Sequence, residues 1–177
     1  MHSGLVTVRR FEQEVHAMDD GGVDFAIAAW REDGLWQVES LPPHTYSSLD
    51  SLVASLRAQP GEGGALGLVS VAEEFFLLVR VRGEDVRLLV SDLFAAEDFP
   101  LGIDALDRLG VPAPDDDDDD VAPAGDLRIV EDLGVRTEEI ELMLDDPDLW
   151  PDEMLANIAA RVGFGDLFDA LVEKLPE

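Results

Sequence analysis

The side chains that most often carry enzyme chemistry are few in this sequence, and they lie far apart. His2, His16 and His44 form no HExxH pattern and stand beside no other metal-binding motif. Cysteine is absent, which excludes disulfides, thiol nucleophiles and zinc sites built from cysteine. No GxSxG motif occurs, and Ser70 and Ser91 have no histidine near them in the sequence. These residues therefore predict neither a metal site nor a nucleophilic enzyme.

Two further patterns could indicate a phosphate-binding loop or acid–base catalysis, but the neighbouring sequence does not favour either function. The stretch PGEGGALG, with Gly61, Gly63 and Gly64, lacks the GK[ST] of a phosphate-binding loop and leads into a strand. Adjacent acids such as Glu73 and Glu74 are a pair of the kind used in acid–base catalysis, but 40 acidic residues produce such pairs by chance. We expect turn glycines here, no catalytic residues and no cofactor site.

The composition argues against two classes of partner. Asp and Glu number 40 against 12 Lys and Arg, and the resulting net charge of −28 repels nucleic-acid phosphates and anionic membrane surfaces. The apolar stretches FAIAAW and FFLLV are far shorter than the roughly 20 residues of a membrane-spanning helix, and no signal-peptide core is evident. We expect a cytoplasmic protein without direct nucleic-acid or membrane binding. A second explanation of the acidity is background composition or adaptation to salt.

Residues 23–111 have the pattern of an α+β sheet domain. VDFAIAAW and LWQVESL flank the turn sequence REDG and predict a hairpin, and a helix is predicted over about 48–58. ALGLVSV, FFLLVRV and VRLLVSD predict three more strands, and a second helix is expected from Pro100 to about Leu109. The β-β-α-β-β-β-α order predicts an antiparallel five-stranded sheet with the topology of profilin, longin and roadblock domains.

Residues 112–125 predict an acidic linker rich in proline. Blocks of like charge repel and stay extended, so a solvated linker is the first interpretation of the aspartate run. Successive side chains of an extended segment point in opposite directions, which argues against a metal site. The second interpretation is an electrostatic contact for a basic partner. The run consists of Asp115, Asp116, Asp117, Asp118, Asp119 and Asp120.

Residues 126–177 predict a small all-α segment of four short helices, with no strand. The patterns are GDLRIVEDLG, TEEIELMLDD with Thr137 as the cap, PDEMLANIAARVG, and a last stripe from Leu167 to Leu175. Helices of about ten residues are marginal alone, so their apolar stripes must pack on each other, on the sheet or on a partner. Trp150 precedes the third helix and is a candidate partner contact as well as a candidate core residue.

Several unusual segments, taken together and in order, resemble one known family. They are FAIAAWREDGLWQVESLPP, PGEGGALGLVSVAEEFFLLVRVRGEDVRLLVSD, the aspartate run and WPDEMLANIAARVGFG. Through these segments, residues 23–168 resemble the tRNA adenosine deaminase-associated protein family of actinobacteria. Residues 1–22 fall outside the resemblance as an N-terminal extension, and Met18 is an alternative start of translation.

The resemblance implies association with a tRNA adenosine deaminase and supplies no catalytic residues. A zinc deaminase itself needs a cysteine pair, which this chain lacks. The leading hypothesis is therefore a non-catalytic acidic accessory or regulatory protein, whose partner is a tRNA adenosine deaminase or another basic protein. The alternative is a homodimeric scaffold domain of the roadblock type, unrelated to tRNA editing. An enzyme of unrecognised type is the third hypothesis.

Overall fold

A computed structural model describes residues 22–59, 61, 63–111 and 122–175. Its centre is an antiparallel sheet of six strands in the spatial order β2-β1-β3-β4-β5-β6. The strands are β1 Val23–Glu32, β2 Leu35–Ser40, β3 Ala65–Val71, β4 Phe75–Arg82, β5 Asp85–Val90 and β6 Ala124–Gly125.

Six α-helices and two short 3-10 helices surround the sheet in the described residues. The α-helices are α1 Leu49–Arg57, α2 Leu93–Ala96, α3 Pro100–Leu109, α4 Thr137–Leu144, α5 Pro151–Val162 and α6 Gly165–Lys174, and the 3-10 helices are Pro43–Tyr46 and Glu131–Leu133. Local signals set the ends of several helices: the Ser48 hydroxyl caps α1, and Gly110 ends α3 with a φ of 71°. No helix among the described residues is long and apolar enough to cross a membrane.

The two faces of the sheet are covered by different parts of the chain. Alternate residues of β1 point to opposite faces, so that Ala28 packs with α1 and α3 while Ile27 packs with the C-terminal helices. β3 is buried along its whole length for this reason. We call the side covered by residues 126–175 the tail face. The apolar stripes of α5 and α6 therefore pack on the sheet itself.

The structure corrects three expectations from the sequence. The sheet has six strands and not five, because Gly125 and Ala124 pair with Leu89 and Val90 inside the range expected to be a linker. GDLRIVEDLG forms turns and the 3-10 helix Glu131–Leu133 instead of an α-helix, and Gly134 ends it with a φ of 106°. Thr137 is the first residue of α4 and not its cap. The profilin, longin and roadblock topology and the domain boundaries stay predictions.

Candidate functional site

Charged side chains are distributed unequally along the strands. β1 and β4 end where β3 begins, since Ala65 lies opposite both Trp30 and Val81. We call this the arginine end of the sheet, because it carries Arg31, Arg80, Arg82 and Arg87. The opposite, carboxylate end is formed by residues 22–25, 70–76 and 90–92, which include four acidic and no basic residues. The molecule is thus polarised along the strand direction.

At the arginine end several carboxylates are paired with neighbouring guanidinium groups. The pKa of Asp132 is lowered, chiefly because Arg80 donates hydrogen bonds to its carboxylate, one of them at 2.9 Å from Nη2 to Oδ2. Ion pairs also join Arg82 to Asp132, Arg87 to Asp85 and Asp126, and Arg128 to Glu131. These ion pairs compensate four carboxylates of this end, Asp85, Asp126, Glu131 and Asp132.

A groove of about 300 Å³ lies between the carboxylate end of the sheet and the chain leading from α4 to α5. Its apolar lining comes from Leu144, Pro147, Leu149, Pro151 and Met154, and its polar lining from Glu74, Ser91, Asp92, Asp145 and Asp146. We call it the acidic groove. In the described part of the chain, none of its four carboxylates forms an ion pair with Arg or Lys. Their negative charge is therefore uncompensated.

Asp92 is placed in the groove by the start of α2. Its carboxylate accepts a hydrogen bond of 3.0 Å from the backbone N–H of Phe94 and so caps the helix. Burial raises the pKa of Asp92, and hydrogen bonds from backbone N–H groups partly oppose that rise. The neighbouring Ser91 is buried, and its Oγ accepts a hydrogen bond of 2.8 Å from the N–H of Phe76. A cation placed beside Asp92 would restore a favourable environment for its charged form.

Glu74 follows a strained turn between β3 and β4. Ala72 and Glu73 have φ values of 51° and 56°, a left-handed conformation that costs energy for residues other than glycine. The Asp24 carboxylate holds this turn, since it accepts hydrogen bonds from the Glu73 N–H at 2.8 Å and the Ser70 hydroxyl at 3.0 Å. Two non-glycine residues are thus kept in an unfavourable conformation at the edge of the groove.

Trp150 lies between two residues that line the groove, Leu149 and Pro151. It is 58% exposed, and its backbone N–H donates a hydrogen bond of 2.9 Å to the Glu153 carboxylate at the start of α5. An exposed tryptophan beside a groove is typical of a protein-binding surface. The predicted role of Trp150 as a partner contact stays a prediction, and Asp115 to Asp120 lie outside the described residues.

The other groove residues were not singled out from the sequence as partner contacts. Glu74, Asp92, Asp145 and Asp146 come from three separate parts of the chain, and only the packing of the tail onto the sheet brings them together. Nothing in their local sequence distinguishes them from the remaining acidic residues. Among the described residues, no group of three or more His, Asp or Glu side chains is placed to hold a metal ion.

Comparison with known proteins assigns the family. Residues 24–165 match the model described as Rv3753c-like tRNA adenosine deaminase-associated protein. The chain is also 35% identical over 153 residues to Protein Rv3753c of Mycobacterium tuberculosis, which covers 85% of this chain and 88% of that protein. No solved structure matches. The chain therefore belongs to the Rv3753c-like tRNA adenosine deaminase-associated protein family.

Proposed function

We propose that this chain is a non-catalytic accessory protein of the cytoplasm that binds a tRNA adenosine deaminase through the acidic groove. The observation that carries the proposal is the set of four uncompensated carboxylates around an apolar floor. An enzyme that binds tRNA needs a basic surface to hold the phosphates. The same surface is attracted to the carboxylate end of this protein, and the family name supports that partner.

The groove offers both types of contact that a protein interface requires. Arginine or lysine of the partner would form charge-assisted hydrogen bonds with Asp145, Asp146 and Glu74 at the rim. An apolar side chain between those cations would fill the space over Leu149 and Met154, and Trp150 would close over it. We therefore expect the bound segment to combine basic residues with one apolar anchor.

The test is to titrate the purified protein against the tRNA adenosine deaminase of the same organism, by calorimetry and by light scattering after size exclusion. Binding at low salt should weaken steeply at about 0.5 M salt, because exposed ion pairs are screened. Asp145→Asn with Asp146→Asn should weaken binding about fivefold to thirtyfold. The control is Glu138→Gln with Glu141→Gln, which removes two exposed charges from α4 outside the groove lining.

Two results would contradict this proposal. Absence of a complex at either salt concentration would leave the association without a physical basis. Equal weakening by the groove pair and the α4 pair would show that net charge acts, and not the groove. Deletion of Asp115 to Asp120 completes the series, because a loss larger than that of the groove pair would make the aspartate run the main contact.

A second candidate function is that of a homodimeric scaffold, and the edge of the sheet favours it. β2 is the first strand in the spatial order, so its outer edge pairs with no described residue, and its first residue, Leu35, is 66% exposed. Two copies of a chain with a net charge of −28 repel each other, so salt should strengthen a homodimer. Salt should weaken the complex with a basic partner, and light scattering of the protein alone at both salt concentrations therefore separates the two functions.

A further inference from the structure

A second cavity, of about 270 Å³, lies on the tail face at the arginine end of the sheet. Four small residues form part of its lining: Ala29, Gly63, Gly64 and Ala65. Gly64 has no room for a side chain, since a Cβ there would lie 2.1 Å from the Val81 carbonyl oxygen. The backbone at Gly64 therefore packs closely against β4 at this end of the cavity.

One wall of the cavity is Arg31, which pairs with no carboxylate among the described residues. The Arg31 guanidinium lies 4.8 Å from the centre of the Trp36 ring. It forms no ion pair with the described carboxylates, although the chain has 40 acidic residues. The indole is itself held by Phe164, with the ring centroids 4.9 Å apart. Within the described part of the chain, Arg31 therefore presents its positive charge against an aromatic ring and not against a carboxylate.

The other wall is the buried Arg80, two of whose five N–H donors have no acceptor among the described residues. Arg80 is 5% exposed, and its two terminal nitrogens donate to Asp132 and to the Ile129 carbonyl. Its Nε–H and the second N–H of Nη2 donate to no described residue. Buried donors are almost always satisfied by an acceptor, so the cavity beside Arg80 is the natural place for one. A carboxylate oxygen would suit both arginines, since it would pair with the charge of the exposed Arg31 and accept from a buried N–H of Arg80.

From these features we propose that the cavity binds a small aromatic carboxylate. Ala29, Leu66 and Trp36 offer an apolar surface to the ring, while Arg31 and the Arg80 Nε–H receive the carboxylate. A cavity of about 150 Å³ holds a benzene ring, so this cavity has room for a ring with its acid group. None of its described lining residues is acidic, which distinguishes it from the acidic groove at the other end of the sheet. The proposal is independent of the deaminase partner.

The experiment is an NMR titration that follows the indole N–H of Trp36. The probes are benzoate and indole-3-acetate, the neutral analogue benzamide, and inorganic phosphate alone, each raised to about 10 mM because ligands of this size often bind only weakly. The carboxylates should give a saturable shift, and benzamide and phosphate should not. Arg31→Gln should weaken binding of benzoate about tenfold. Arg108→Gln, an equal change of charge at an exposed residue of α3, should leave it unchanged.

Filling the cavity gives a second, independent variant. Ala29→Leu places a larger side chain in the space for the ring and should abolish the shift, with the amide spectrum reporting whether the sheet is intact. If this variant fails to fold, the comparison of Arg31→Gln with Arg108→Gln decides the question. The proposal is overturned if no carboxylate gives a saturable shift, if benzamide binds as tightly as benzoate, or if the two arginine variants lose equal affinity.

Discussion

The ion pair between Arg80 and Asp132 joins the sheet to the tail. Removing the Asp132 carboxylate should destabilise the protein more than removing the Arg80 guanidinium. Arg80 is 5% exposed and lies on the tail face of β4, whereas the Asp132 side chain is 51% exposed at the 3-10 helix. Asp132→Ala leaves a buried guanidinium with the Ile129 carbonyl as its remaining described acceptor. Arg80→Met instead removes the charge and fills a similar volume with an apolar side chain.

The expected magnitudes follow from burial. Removing one partner of a fully buried pair costs about 3–5 kcal/mol. Because Asp132 is half exposed, water reaches the vacated site, and we expect about 2–3 kcal/mol for Asp132→Ala. Arg80→Met should cost about 1 kcal/mol, since it strands only the Ile129 carbonyl and leaves Asp132 in contact with water. The double variant should resemble Arg80→Met alone.

Urea unfolding followed by circular dichroism measures these differences, with the slope of the transition checked for each variant. The matched control is Glu131→Ala, which breaks the exposed pair with Arg128 and should cost at most about 1 kcal/mol. Our reasoning is refuted if Asp132→Ala is no more destabilising than Glu131→Ala. It is equally refuted if Arg80→Met is the most destabilising of the three.

Three further predictions concern pH, the groove and a turn. The pKa of Asp132 is lower in the folded protein than in the unfolded chain. The stability that its carboxylate contributes is therefore present above the unfolded pKa and is lost as the pH falls through the folded pKa. In Asp132→Ala, the urea midpoints measured at acidic pH should lack this loss. Burial raises the pKa of Asp92, and Asp92→Asn removes the buried charge while it retains the acceptor for the Phe94 N–H. This variant should leave the stability at neutral pH unchanged or slightly higher and should weaken deaminase binding. A marked loss of stability would contradict the prediction. Glu73→Gly should raise the free energy of unfolding by about 1 kcal/mol, because the φ of 56° at this position is unfavourable for residues other than glycine. A lower melting temperature of the variant would contradict this prediction.

Regular patterns made most of the sheet predictable. Alternation and the turn at Asp33 and Gly34 indicated the first hairpin, and the apolar spacing from Leu49 to Leu56 indicated α1. β6 could not be recognised in the same way, because two residues, Ala124 and Gly125, are too short to show a period. That strand forms only because the edge of β5 is available beside it.

The candidate sites depended on contacts that no local pattern encodes. Arg80 stands in the apolar run FFLLVRV, yet its partner Asp132 is 52 residues away, and a position in a strand does not reveal a distant carboxylate. Trp150 was singled out because tryptophan is rare and often marks an interface. Asp92 and Asp145 differ from other acids only in their surroundings, which the docking of the tail creates.

The unequal distribution of charge also gives the molecule an electric dipole, which orients it in the field of a charged partner. A basic protein that approaches experiences stronger attraction toward the carboxylate end of the strands than toward the arginine end, where arginines pair with four of the acids. The resulting torque turns the two molecules toward productive contact before their surfaces meet, over distances of about 8 Å at physiological ionic strength. Such steering acts on the rate of encounter more than on the lifetime of the complex. Carboxylates that never touch the partner can therefore still determine how quickly it is found.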